Sequence, residues 1–307
     1  MNDSIWMIMI IKLIIYCFSL LGNSSYIIIY FYILYQIKFG KNAFQDLGLG
    51  TNFMLMLNIS RFFSSISEIV FCYYILKNNI TSKNGSFDRS PFCQTIAFFR
   101  NYSELTSVCC ITILTYLFYQ STNEMIFNLK REIKQFIYGI LYSFLFPLLF
   151  ILPPLFTEKF SFIKTRCSFD SKISYLHIIF YIFIIINVIF QLVFLFISFC
   201  YYNSKIKYIK ESNKNRDKLL YISVWIFLLF PIYLIISFFL KLINRIEKDN
   251  MIFLMISEIM LAFSGVVDSI ICLILIRSVF ECCKNKDNEK SDESEEFQVL
   301  SQESYKL

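Results

Sequence analysis

Arg61, Glu68, Arg100, Glu104, Glu258 and Asp268 fall deep inside stretches that are otherwise apolar enough to cross a membrane. A charge in hydrocarbon is costly, so such residues mark a functional site or an internal ion pair. Depth sorts them, at roughly 1.5 Å per helical residue. Arg100 sits two turns below Cys93, roughly 10 Å down. Glu68 and Glu258 lie at similar depths below the same ends of their own runs, so these three share one layer. Arg61 and Asp268 lie deeper. Glu104 falls between the layers, one turn from Arg100 on the same helix face. Two readings stand side by side. In one, the charges pair and lock a bundle. In the other, Arg100, Glu68, Glu258 and Glu104 line an outward-facing ligand pocket, with Arg61 and Asp268 as a polar network beneath it. A deep guanidinium suits an anionic small molecule through bidentate contacts. The flanking carboxylates argue partly against a strong anion site, because they can neutralise that arginine themselves.

Other chemistries find little material. The chain has one histidine, His177, so a histidine-based metal site or a triad built on several histidines is excluded. His177 reads as an interfacial polar residue. An intramembrane protease needs paired aspartates or a Ser-His set, and Asp268 is alone among the aspartates at depth. No enzyme activity, metal or cofactor is expected. The net charge of +6 is spread over short segments and calls for neither an acidic partner nor nucleic acid.

The composition says what must position these residues. Hydrophobic residues make up 57% of the 307 and charged residues only 17%. Soluble domains hold about 45–50% and about 25%. Spanning hydrocarbon takes about 20 apolar residues in a helix. Seven runs qualify, at 8–37, 47–76, 93–119, 135–155, 173–200, 219–244 and 251–276. The second and third are weakest because each carries an Arg and a Glu. A five-span alternative lays those two on the membrane surface. The first run is long and holds Lys12, so its outer end is expected to stand out of the membrane. It is also too long, and lacks the basic start, of a cleaved signal peptide. The expected fold is therefore all-α: an integral membrane seven-helix bundle over residues 8–280, with an outer N-terminus at 1–7 and a cytoplasmic tail at 281–307.

Topology follows from charge. With the N-terminus outside, basic residues concentrate on the cytoplasmic side. The third inner loop alone supplies Lys205, Lys207, Lys210, Lys214, Arg216 and Lys218. The sequons at Asn79 and Asn84 then fall outside, where glycosylation is possible. Of ten cysteines, only Cys93 and Cys167 belong to the outer side. Cys93 tops the third run and Cys167 lies midway between the fourth and fifth. An oxidising exterior favours a disulfide between them, which would pin that loop over the mouth of the bundle. Cys282 and Cys283 follow the last run on a short segment that could form an amphipathic eighth helix, with palmitoylation as the functional reading and free thiols as the plain one.

Pro231 sits in the middle of the sixth run and is expected to kink it. Pro147 should do the same in the fourth, with Pro153 and Pro154 ending that helix. The acidic, polar tail reads as disordered.

These features together resemble a G-protein-coupled receptor: seven spans, an outer N-terminus, and a cysteine atop the third span with a partner in the second outer loop. Gly22-Asn23 in the first span is similar to a pair found in many receptors. The third span, with Cys93, Ala97, Phe98, Tyr102 and Tyr119, resembles the cyclic-AMP-receptor-like family of microbial eukaryotes. So does the last span, with Gly265 and Asp268. Gln94 precedes its usual place, and the tryptophan expected mid-span is replaced by the neighbourhood of Cys109 and Cys110. The resemblance implies a plasma-membrane receptor that passes an extracellular ligand signal to a heterotrimeric G protein. The basic third inner loop would be the partner-facing surface, and a pivot at Pro231 the moving part. The alternatives are a small transporter or channel, disfavoured because no internal repeat is visible, and a seven-helix scaffold without signalling.

Overall fold

The computed structural model describes residues 3–37, 48–78, 90–123, 129–156, 160–163, 166–169 and 174–206, and near the C-terminus the helical residues 232, 236, 256, 259–260 and 262–274. Helix α1 is Asp3–Ile37, α2 is Gly48–Asn78 and α3 is Pro91–Asn123. Helix α4 (Leu129–Ile140) continues through a π-helical turn (Leu141–Leu145) into α5 (Phe146–Phe156). Strands β1 (Phe160–Ile163) and β2 (Arg166–Phe169) follow, then α6 (Ser174–Ile206). The last described helix is α7 (Ala262–Ile274). Lipid cannot bond to peptide groups, so a chain this apolar must satisfy its backbone within helices. Among the described residues four helical stretches are long and apolar enough to cross a membrane: Ile5–Tyr35, Leu49–Asn78, Ile133–Phe156 and Ile178–Tyr201. Their outward faces carry large apolar side chains, Ile28, Leu149 and Phe196 among them, each more than 60% exposed. Such surfaces are those of a membrane protein.

Helix α3 is long enough but not apolar enough to join those four, and its position explains why. It packs against α2, α6, the π-turn rod and both strands. Every residue from 103 to 112 is buried. A helix covered by other helices meets little lipid, so it can carry serine, threonine, arginine and glutamate.

Several expectations change. Helix α1 begins at Asp3, so residues 3–7 of the expected outer terminus are helical. Lys12 does not stand outside: it is fully buried. Its cation is tolerated there because a carboxylate faces it. Pro153 and Pro154 do not end their helix, which runs on to Phe156. The irregularity near Pro147 is a widened turn. Pro147 has no N–H to give the carbonyl four residues back, and ahead of it the Phe146 amide bonds to the Leu141 carbonyl, five residues back. Proline and π-bulges are both recognised causes of helix irregularity. The segment between α5 and α6 is not a plain loop but an antiparallel hairpin, with Phe160 opposite Phe169 and Phe162 opposite Cys167.

That hairpin is fastened to the start of α3. Cys93 and Cys167 form a disulfide with Cα atoms 5.4 Å apart. Beside it, the Gln94 side-chain amide donates to the Phe160 carbonyl, and the Phe160 amide donates to Gln94 Oε1 at 3.3 Å. The glutamine thus imitates a neighbouring strand for one residue. Phe160 itself is fully buried.

Asn79, Asn84, Lys207, Lys210, Lys214, Arg216, Lys218, Pro231, Glu258, Cys282 and Cys283 lie outside the described residues, as do the tail and the expected eighth helix. Lys205 and His177 lie on α6, but their side chains are outside the description.

Candidate functional site

Two seven-residue and four-residue spacings build the site. Arg61 and Glu68 are two turns apart on α2 and therefore share its inner face. Arg100 and Glu104 are one turn apart on α3. Lys12 comes from α1 and Asp268 from α7. All six are buried.

Glu68 faces two cations. Its Oε1 lies 3.3 Å from Arg100 Nη1 and its Oε2 lies 3.7 Å from Lys12 Nζ. These are ion pairs by distance, yet neither carboxylate oxygen makes a hydrogen bond. The second pair differs in kind. Arg61 Nε donates to Asp268 Oδ2 at 2.7 Å, a length typical of a charge-assisted hydrogen bond. Among the described residues the layer therefore holds Lys12, Arg61 and Arg100 against Glu68, Glu104 and Asp268, and is electrically balanced.

A polar cavity lies between the pairs, lined by Tyr16, Ser19, Arg61, Ser65, Arg100 and Glu104 and by Ala262, Ser264 and Gly265 of α7. Its volume, about 20 Å³, admits one water, which needs roughly 10–15 Å³ on the same measure. Hydroxyls brace its wall. Ser19 and Ser65 bond to each other at 2.9 Å, and Asn23 Nδ2 donates to the Ser19 carbonyl at 2.7 Å. Helices α1 and α7 meet here through small residues, as membrane helices do where backbones approach. A Cβ on Gly22 would collide with the Ser269 side chain, and one on Gly265 with the Ser19 side chain. Gly22 is thus required by close approach to α7, and Asn23 by the Ser19 wall.

The sequence placed Arg100 near Glu68, and these two meet. Arg61 and Asp268 were assigned to a deeper network and form its bond. Lys12 was missed as a member. A second polar cluster was missed altogether. Asn187 and Gln191 of α6 face α3 and the π turn. Thr112 Oγ1 donates to Asn187 Oδ1 at 2.9 Å, and Tyr142 Oη donates to the same oxygen at 2.6 Å. Gln191 Nε2 donates to Thr112 Oγ1 at 2.9 Å. The signal was available: Asn187 and Gln191 stand four apart, the only amide side chains between residues 178 and 200. Residues carrying the receptor resemblance have packing roles. Ala97 is fully buried, Phe98 stacks on Tyr102, the Tyr102 hydroxyl donates to the Phe144 carbonyl at 3.2 Å, and Tyr119 stacks on Phe194. Among the described residues no cluster of His, Cys, Asp and Glu could hold a metal ion.

Comparison with protein-family models finds no match to this chain, and comparison with curated proteins finds none either.

Proposed function

We propose that the chain is a seven-helix receptor of the plasma membrane, with its N-terminus outside, which couples an extracellular small-molecule ligand to a heterotrimeric G protein. The observation that carries the reading is the ionic layer itself. It ties together helices distant in the chain, two turns below a disulfide-fastened hairpin, around a cavity with room for one water. A ligand acting there would bear on α1, α2, α3 and α7 at once, which is the arrangement needed to bias a bundle between two states. The basic segment with Lys205, Lys207, Lys210, Lys214, Arg216 and Lys218 is the proposed G-protein face, and Pro231 the proposed pivot. Glycosylation at Asn79 and Asn84 and acylation at Cys282 and Cys283 belong to the same reading.

The charge balance of the layer favours a second reading, a seven-helix scaffold whose pairs only lock the bundle. Nucleotide exchange on a co-expressed G protein separates the two. The receptor should promote exchange, either constitutively or with a ligand. Neutralising the six basic residues should weaken exchange while leaving surface expression intact. Wild-type protein that drives no exchange with any G protein or ligand supports the scaffold instead.

A further inference from the structure

We infer that Glu68 is a tethered competitor, and that the seat between Lys12 and Arg100 takes the compact oxyanion of an external ligand, a carboxylate or a phosphate. The inference rests on reading the ionic layer as a ligand site, and needs no G protein.

One carboxylate on α2 is claimed by two cations on different helices, at 3.3 Å and 3.7 Å. Charge-assisted N–H···O bonds are shorter, about 2.7–2.9 Å. Neither Glu68 oxygen is hydrogen-bonded, whereas the Arg61–Asp268 pair closes to 2.7 Å in the same molecule. Glu68 is attracted to both cations but seated by neither. Its backbone anchor on α2 holds it short of both. An oxyanion free of that anchor can approach Arg100 and Lys12 along their donor directions. The one-water cavity abuts Arg100, so a place for the incoming group to start already exists.

Charge balance dictates exchange rather than addition. Among the described residues the layer is neutral when closed, so an arriving anion displaces Glu68 from Arg100 toward the water that the widening cavity admits. A competitor that blocks the seat most of the time lowers apparent affinity by the fraction of time the seat is open. Glu68→Gln keeps the shape and removes the competing charge. It should therefore raise affinity for a free oxyanion, where the removal of an ordinary ligand contact would lower it.

The test uses the full chain in lipid nanodiscs. Acetate or inorganic phosphate replaces chloride at constant ionic strength, and the thermal unfolding midpoint is titrated. E68Q should half-saturate at a concentration about tenfold or more below wild type, with acetate or with phosphate, and whichever acts identifies the headgroup chemistry. E68Q/R100Q should give no response. E68Q takes a carboxylate away from two buried cations, so K12M/E68Q, with one cation fewer, is carried in parallel. It should still titrate below wild type, through Arg100 alone. If E68Q and K12M/E68Q both titrate like wild type, or if E68Q/R100Q responds as E68Q does, the inference is wrong. The nucleotide-exchange experiment on the wild type is unaffected by that failure.

Discussion

Breaking the Arg61–Asp268 bond should unfold the bundle more readily than removing it. Asp268→Asn keeps the shape and leaves a guanidinium with side-chain exposure of 9% facing a neutral amide. At 2.7 Å and an effective dielectric of about 20, the lost attraction is about 6 kcal/mol in gross terms. Desolvation has already consumed part of it. Loss of one partner from a buried pair costs about 3–5 kcal/mol net. For a chain of this size that lowers the melting midpoint by on the order of 10 °C. Arg61→Met with Asp268→Leu removes the attraction and the desolvation together, and should be close to neutral. The assay is thermal unfolding of wild type, D268N and the double variant in identical nanodiscs, with surface expression as a second readout. If D268N melts within about 2 °C of wild type, or the double variant falls as far as D268N, the two side chains are not balanced as described.

Gln94→Ala removes both bonds to Phe160 but leaves the disulfide. Amide exchange in residues 160–169 should quicken by about tenfold, since the bonds are worth on the order of 1 kcal/mol; unchanged exchange would show that Cys93–Cys167 alone holds the hairpin. Asn187→Leu takes the Oδ1 acceptor from the Tyr142 hydroxyl, at about 1–3 kcal/mol, while Thr112 keeps the Val108 carbonyl. The melting midpoint should drop, and Tyr142→Phe in the same background should recover part of the loss. Gly22→Leu forces α1 off Ser269 and should cut folded yield severely, whereas Gly50→Ala, with open space around it, should melt like wild type.

The positions of the helices in residues 3–206 are legible because the pattern is simple. Runs of isoleucine, phenylalanine and leucine with few glycines or prolines can only be helices in lipid. The Cys93–Cys167 bond was legible because only two cysteines sat on one expected side. Depth counting brought Arg100 to Glu68, since both were measured from helix ends that face the same way. It failed for Lys12. Helix α1 has 35 residues, more than a membrane needs, so its position against the bundle is set by packing and not by its own hydropathy. Hydropathy puts Lys12 outside, and pairing with Glu68 holds it in the interior. Helix α3 reads weakly by hydropathy for a related reason: its surroundings are protein. The hairpin was hidden because its four-residue strands are short and its outer pairing comes from Gln94, a side chain that sequence periodicity does not count. The π turn has one faint cue, Pro147, which marks that something gives way but not how.

The order in which charges appear along the chain bears on how such a protein is made. Lys12 and Glu68 are both synthesised before Arg100, so when α3 reaches the membrane its arginine finds a carboxylate waiting. That matters because an arginine costs up to roughly 2.5–3.5 kcal/mol to insert at a helix centre. Arg61 has the opposite history. Its partner, Asp268, arrives 207 residues later, with the last described helix. Until then the growing bundle carries an intramembrane guanidinium without its carboxylate. A chain that stops short of α7 therefore displays a charge that the closing of α7 against α2 conceals.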